Sequence, residues 1–321
     1  MSRPICRLFA ILGGVGVLVL LFVLAFPSSS LAQQAPAKPA AAAQATDGYV
    51  GSDTCKGCHQ ELDQKFAATK MGRLLLRHPR NTKESLGCET CHGPGKAHVD
   101  AGGGRGVGGM ISFSKKDPTP VEKRNAVCLQ CHEKTARLFW KGSQHESRDV
   151  ACTNCHRVME DVSPRFQLAK ATVIDTCGQC HTQKRAQTMR SSHMPLREGK
   201  MTCTDCHNPH GTVTPTLLKE NSVNDTCYTC HAEKRGPFLW VHPPVQESCA
   251  NCHDPHGSNH EKMLKLAKPR LCQQCHIESR HPTDPRGREF ASARFMLGRQ
   301  CTNCHANIHG SNHPSGHAFK R

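Results

Sequence analysis

The stretch Cys203-Thr-Asp-Cys206-His207-Asn-Pro-His210-Gly211 sets two thiols three residues apart, an imidazole directly after the second, and another imidazole three residues on. Two thiols at this spacing can add to the two vinyl groups of one haem, and the next residue then lies under the iron. The C-x-x-C-H string occurs ten times. Its cysteine pairs are Cys55 and Cys58, Cys88 and Cys91, Cys128 and Cys131, Cys152 and Cys155, Cys177 and Cys180, Cys203 and Cys206, Cys227 and Cys230, Cys249 and Cys252, Cys272 and Cys275, and Cys301 and Cys304. The closing histidines are His59, His92, His132, His156, His181, His207, His231, His253, His276 and His305, the expected proximal ligands of ten haems c. Composition alone would give about 0.1 copies in a shuffled chain.

Two blander chemistries use the same residues. Zinc binds C-x-x-C pairs, but a tetrahedral site needs two separated pairs and no histidine directly after each second cysteine. A disulfide framework would close very small loops and leave the histidines without a reason. Haem is the reading that uses every element of the string.

A haem iron held by histidine on one face takes a second ligand on the other. Twelve histidines lie outside the strings. Position marks eight as second-ligand candidates: His98, His145, His193, His210, His242, His256, His281 and His309. Even-numbered motifs are followed at short range by His98, His210, His256 and His309. His145, His193 and His242 fall 13, 12 and 11 residues after His132, His181 and His231. His281, only five residues past His276, is the least regular. His313 and His78 are further candidates, whereas His260 and His317 read as surface residues.

These ligands need little architecture to carry them. Of the 321 residues 37% are hydrophobic and 5% aromatic, so a side-chain core is thin and the porphyrins must supply apolar mass. The net charge of +16 would point to nucleic acid or an anionic surface. Each bis-ligated ferric haem with its propionates carries roughly −1, which offsets most of that excess, and no aromatic basic module is present. Nucleic acid is therefore excluded as a partner.

Residues 1–32, with Arg3 and Arg7, an apolar run from Leu8 to Phe26 and the small-residue end Ser30-Leu31-Ala32, read as a secretory signal peptide. The alternative is an uncleaved anchor, and Cys6 in this segment is not a haem cysteine. Residues 33–48, rich in Ala, Pro and Gln, read as a flexible linker. Residues 49–321 form the decahaem domain, in two pentahaem halves of about 49–200 and 201–321. Odd-numbered motifs start 73, 49, 50 and 45 residues apart, which implies five stacked two-haem repeats in a line.

The expected fold class is a multihaem cytochrome c, mostly irregular, with short α-helices and little or no β. Helices are expected at Gln60–Lys70, Glu133–Lys141 and Thr182–Arg190. Asp53-Thr54, Asp175-Thr176 and Asp225-Thr226 are expected to cap helices that carry odd-numbered motifs. The run Gly102–Gly109 lacks the Lys-Ser/Thr of a phosphate loop and reads as a mobile surface loop.

From about Ser52 onward the chain resembles the periplasmic decahaem cytochromes of the MtrA, PioA and DmsE type. The resemblance is carried by Asn221-Ser-Val-Asn-Asp-Thr-Cys227-Tyr-Thr-Cys-His231-Ala-Glu-Lys-Arg-Gly-Pro237, by Cys203 to Gly211, and by His309-Gly-Ser-Asn-His313-Pro-Ser-Gly316. It implies an elongated haem wire in the periplasm, associated with the outer membrane. Such a wire enters a β-barrel porin and carries electrons between the periplasm and extracellular donors or acceptors such as metal oxides or Fe(II). Its other partners would be an inner-membrane or periplasmic cytochrome and, where one exists, an extracellular multihaem cytochrome.

Met71 and Met159 stand where that resemblance calls for histidine. Met71 is 12 residues after His59 and Met159 three after His156, so the first and fourth haems are the expected places of departure, with His78 preferred to Met71 at the first and Met159 at the fourth. The leading expectation is an electron carrier and not an enzyme. Its rivals are a nitrite- or hydroxylamine-type multihaem oxidoreductase, which needs an iron with an open position, and a soluble periplasmic shuttle.

Overall fold

The structure, a computed structural model, describes residues 48–276 and 300–320. All of these belong to one unit, Ala45–Arg321. The signal segment, most of the linker, His281 and Cys6 lie outside the described residues.

The unit is built from short helices and single turns, with no strand among the described residues. Its only β pairings there are isolated bridges, at His156 with Leu168, Ser192 with Ser258, His207 with Leu218, Trp240 with Ser311 and His253 with Leu264. The expected class, a multihaem cytochrome with short helices and no sheet, is the one observed. The longest helix among the described residues, Val121–His132, starts after Pro120, whose ring cannot continue a helix upstream, and runs through the third motif. It was not anticipated.

The other expected helices come out differently in detail. Gln60–Lys70 ends at Ala68, because Thr69 turns the chain and its hydroxyl caps the next helix, Lys70–Arg77, by accepting from the Gly72 N–H. Glu133–Lys141 is instead one turn, Thr135–Arg137, since Thr135 has φ 59, outside the right-handed region. Thr182–Thr188 is helical close to expectation. The caps also sit elsewhere. Thr172 and Ser222 are the N-caps of Val173–Cys177 and Val223–Tyr228, and Asp175 and Asp225 occupy the third helical position, where their N–H groups bond back to the cap hydroxyls. The helix Ser52–Cys58 begins at Gly51 with no side-chain cap.

Only Phe66, Leu75, Trp140, Ala151, Leu168 and Leu264 are buried hydrophobic residues among those described, while Leu239 is 78% exposed and Phe166 69%. A chain packed this way does not bury enough apolar surface on its own account. Polar side chains do part of the docking. Three residues before the first cysteine of an odd-numbered motif, Ser52, Asn125 and Asn224 accept the backbone N–H of the first cysteine of the next motif: Cys88 at 3.0 Å, Cys152 at 2.9 Å and Cys249 at 2.7 Å. Asn224 also donates to the Val245 and Gln246 carbonyls, and Asn125 to that of Val150. In the first pair, fully buried Glu89 adds bonds from the N–H groups of Val50, Gly51 and Gly95.

Removing the Asn224 amide strands three backbone groups, which is expected to cost about 2 kcal/mol. Asn224→Ala should lower the guanidinium midpoint of the holoprotein, whereas Asn221→Ala, at an exposed position, should leave it unchanged. Equal midpoints for the two variants would contradict this docking role.

Candidate haem-binding sites

Six pairs of imidazoles face each other across a gap. Ring centres are 6.4 Å apart for His59 and His98, 6.1 Å for His145 and His181, and 6.1 Å for His156 and His210. They are 6.2 Å apart for His207 and His256, 6.2 Å for His242 and His276, and 6.3 Å for His253 and His309. Every pair joins a histidine that closes a C-x-x-C-H string to one that does not. Five pairs lie within 19° of parallel, and His145 with His181 is at 58°. Stacked faces in van der Waals contact would be about 3.5–4 Å apart. Two imidazoles bonded trans to one metal at about 2 Å, each with its centre about 1.1 Å behind the nitrogen, are about 6.2 Å apart. The spacing fits an iron between the rings.

The ring nitrogens are prepared accordingly. A ligating histidine commonly donates its other N–H to a carbonyl, which fixes the tautomer and leaves the Nε2 lone pair for the metal. His92, His156, His207, His253 and His305 place Nδ1 against the carbonyls of Ile111, Phe166, Thr216, Lys262 and Ala318 at 2.5–2.9 Å. His98, His145 and His193 do so with Val107, Pro209 and Arg190. Burial pushes the His210 and His309 imidazoles down to about 4, with neighbouring cations adding to it, so both are neutral at ordinary pH, as ligation requires.

The proximal carbonyl partners sit on one recurring device. After the fourth, sixth and eighth motifs the chain loops out and returns, so that Ala169, Lys219 and Lys265 donate to the carbonyls of Cys155, Cys206 and Cys252. At the return, Phe166, Leu217, Lys262 and, after the tenth motif, Phe319 take positive φ. Such a conformation costs a non-glycine residue about 1 kcal/mol, offset here by the bonds it permits.

Among the described residues the cysteines form no disulfide, and no three His, Cys, Asp or Glu side chains converge as zinc would need. They meet in a different pattern. The first cysteines of each odd–even pair act on one another: burial and then Cys88 push the Cys55 thiol up to about 11, and Cys152 and Cys203 raise Cys128 and Cys177. Burial and then Cys249 raise Cys227 to about 12, and burial and then Cys301 raise Cys272 to about 11. Between pairs it is the second cysteines that approach. Besides burial, Cys91 feels Cys131, Cys155 feels Cys180, Cys206 feels Cys230, and Cys252 feels Cys275. Each motif thus neighbours the next from Cys55 to Cys301.

Second ligands arrive through a longer-range repeat. The segment after the third motif docks on the loop after the sixth: Asn208 donates to the Ala136 carbonyl, and Trp140 lies against His210. After the fifth motif the segment docks on the loop after the eighth, through Gln187 with Asp254, Arg190 with the Gly257 carbonyl, and the Ser192–Ser258 bridge. After the seventh it docks on the loop after the tenth, through the Trp240–Ser311 bridge and Leu239 with Asn312. Gly211 shows why a glycine follows the docking histidine: its φ is 110 and a Cβ there would stand 2.0 Å from the Phe139 carbonyl oxygen. Each dock sends its even-loop histidine back two motifs, pairing His210 with His156, His256 with His207 and His309 with His253. Two of them send the odd-segment histidine forward two, His145 to His181 and His242 to His276.

Several expected placements change. Across from His59 stands His98, not Met71 or His78, and across from His156 stands His210, not Met159. Each facing ring comes from beside a different motif, which spacing along the chain does not report. His78 caps the end of Lys70–Arg77 and is exposed, and Arg80 just beyond it acts on both Cys131 and His132. This segment therefore lies at the third motif. His193 faces no motif histidine among the ring contacts of the described residues: Arg197 donates to its Nε2 at 3.2 Å. His313 accepts at Nδ1 from the Ser315 N–H, the tautomer opposite to that of the facing rings. His317 is exposed, edge-on to Trp240. The run Gly102–Gly109 wraps His98: the Gly103 N–H bonds the His98 carbonyl, the Val107 carbonyl takes its Nδ1, and a Cβ on Gly108 would stand 2.4 Å from the His98 nitrogen. Sequence reasoning missed this cradle and the docking trio Ser52, Asn125 and Asn224; a polar residue three before alternate first cysteines was the available signal.

Comparison with known proteins gives the same chemistry. Residues 193–236 and 242–281 match the family described as doubled CXXCH motif, residues 88–180 that of the cytochrome c-type protein NrfB-like, and residues 25–93 that of cytochrome c554 and c-prime. The C-type polyheme cytochrome OmcB of Geobacter sulfurreducens is 24% identical over 193 residues, 54% of this chain and 22% of that protein. The multiheme cytochrome MtrA of Shewanella baltica is 42% identical over 277 residues, 84% of this chain and 81% of that protein. With its facing imidazoles, its linked cysteines and this likeness over most of both chains, the protein is a haem c-binding electron-transfer cytochrome of the MtrA family.

Proposed function

We propose that the chain holds ten haems c and is a periplasmic electron conduit, seated in an outer-membrane β-barrel and joining periplasmic redox partners to extracellular donors or acceptors. The observation that carries this reading is the series of facing imidazoles, one from a C-x-x-C-H string and one from elsewhere, whose ring centres stand 6.1–6.4 Å apart at six motifs between the first and the ninth. When bound, the haems supply electron exchange by tunnelling between neighbouring rings. The chain's own residues hold each ring by two thioethers and two axial ligands, and exclude substrate from the iron.

The ligand supply supports a carrier over an enzyme. His98, His210, His145, His256, His309 and His242 face the first, fourth, fifth, sixth, eighth and ninth motif histidines. By analogy with the other docks His193 would serve the seventh motif, with the Arg197 guanidinium now on the lone pair an iron takes. His78 goes to the third, standing ten residues before Cys88 as His193 stands ten before Cys203. His281 remains for the tenth. No open iron is left for catalysis once the second motif is served.

The barrel is required by what the chain cannot do in lipid. No helix of the described residues is long and apolar enough to cross a membrane, and irregular backbone facing hydrocarbon is not tolerated. A barrel wide enough to receive it must exceed the eight-strand size filled by its own side chains. Its other partners would be an inner-membrane or periplasmic cytochrome and an extracellular multihaem cytochrome.

Intact-mass spectrometry of the mature protein should show ten covalent haems and a start near Gln33; nine or fewer haems would contradict the stoichiometry. Liposomes enclosing a redox dye should exchange electrons with an external donor when they carry this cytochrome and its barrel. Equal exchange by the cytochrome without the barrel would remove the conduit reading's central requirement.

A further inference from the structure

The docking repeat leaves one motif whose second ligand is not a histidine. Three docks join the segment after an odd-numbered motif to the loop after the even-numbered motif three further on. In each, the loop residue three or four past the motif histidine pairs with the even motif two earlier: His210 with His156, His256 with His207, His309 with His253. The same series has a fourth place, the segment after the first motif against the loop after the fourth. Lys65, in the helix after the first motif, feels Glu160 and Arg157 of the loop after the fourth. The residue three past His156 in that loop is Met159, and the motif two earlier is the one closed by His92.

We propose that the Met159 thioether sulfur is the second axial ligand of the haem held by Cys88, Cys91 and His92, making it the one histidine/methionine haem among nine bis-histidine ones. The proposal rests on the reading that ten haems are bound. His92 is poised as a proximal ligand, with Nδ1 2.8 Å from the Ile111 carbonyl, and its ring meets only the edge of Phe113 among ring contacts in the described residues. Met159 is not packed into protein: it is 36% exposed, in a loop whose Leu168 is buried. The loop has the same closure as those that present His210 and His256: the Arg157 N–H bonds the Gln167 carbonyl as Asn208 bonds Leu217 and Asp254 bonds Met263. Only the side chain at the presenting position differs. No histidine remains to compete, because His260, His313 and His317 belong to the loops after the eighth and tenth motifs.

Thioether in place of imidazole raises a haem's reduction potential. The second position in the series would then hold electrons more firmly than its neighbours.

Near-infrared magnetic circular dichroism of the ferric holoprotein separates the two ligand sets by the charge-transfer band. The wild type should show one histidine/methionine band beside the bis-histidine envelope. In Met159→Leu that band should vanish and one high-spin haem appear, with ten haems still attached by mass. In Met159→His the band should move into the bis-histidine envelope without high-spin signal, and the highest potential in the titration should fall. Met71→Leu should change none of these. His210→Ala should create one high-spin haem while the histidine/methionine band persists, since Met159 serves a different iron. A wild-type spectrum of bis-histidine haem only, a band unchanged in Met159→Leu, or a low-spin fourth haem in His210→Ala would each overturn the assignment. None of these results bears on the barrel experiment, so the ligand and the conduit can fail separately.

Discussion

Everything in this structure answers to one distance. Two imidazoles that share an iron must hold their ring centres about 6.2 Å apart with lone pairs opposed, and a chain with few buried side chains must fix that geometry many times over. The proximal half is local, since the motif histidine is tied to its cysteines by one turn of chain. The distal half is not. The facing ring comes from beside the next motif for His59 and from two motifs away in the other five pairs, so every pair of facing rings is also a tertiary contact that ties separate parts of the chain together. Ligand geometry and fold are therefore one constraint, and the docks that position His210, His256 and His309 serve both.

The local devices follow from that constraint. Loops after even-numbered motifs return on themselves so that a carbonyl can fix the proximal tautomer, and they accept left-handed residues such as Leu217 and Phe319 to do so. Gly211 permits its loop to lie directly on the Phe139 backbone. Asn125 and Asn224 clamp one motif to the next where no apolar core is present to do it. Exposed apolar side chains such as Leu239 and Val213 fit a chain whose apolar partners are porphyrins.

The ten motifs and the fold class were legible in the sequence, because covalent haem attachment demands a contiguous string and positional repeats survive without structure. Which histidine meets which was not legible. His145 sits 13 residues after His132 yet faces His181, and no local pattern reports a partner 36 residues on. The same blindness put Met159 at its own motif. Helix limits were misjudged where one residue decides them, as at Thr69 and Thr135. The role of the Gly102–Gly109 run was missed because glycine advertises freedom and not the ring it wraps.

The central claim is that the distal ligands of the even-numbered motifs come from loops two motifs on. Iron-edge anomalous diffraction from crystals of the holoprotein tests it most directly, because it locates each iron independently of the protein phases. The account predicts an iron midway between His156 and His210, another between His207 and His256 and another between His253 and His309, in motif order. An iron of the fourth motif lying between His156 and any residue of its own loop would contradict it.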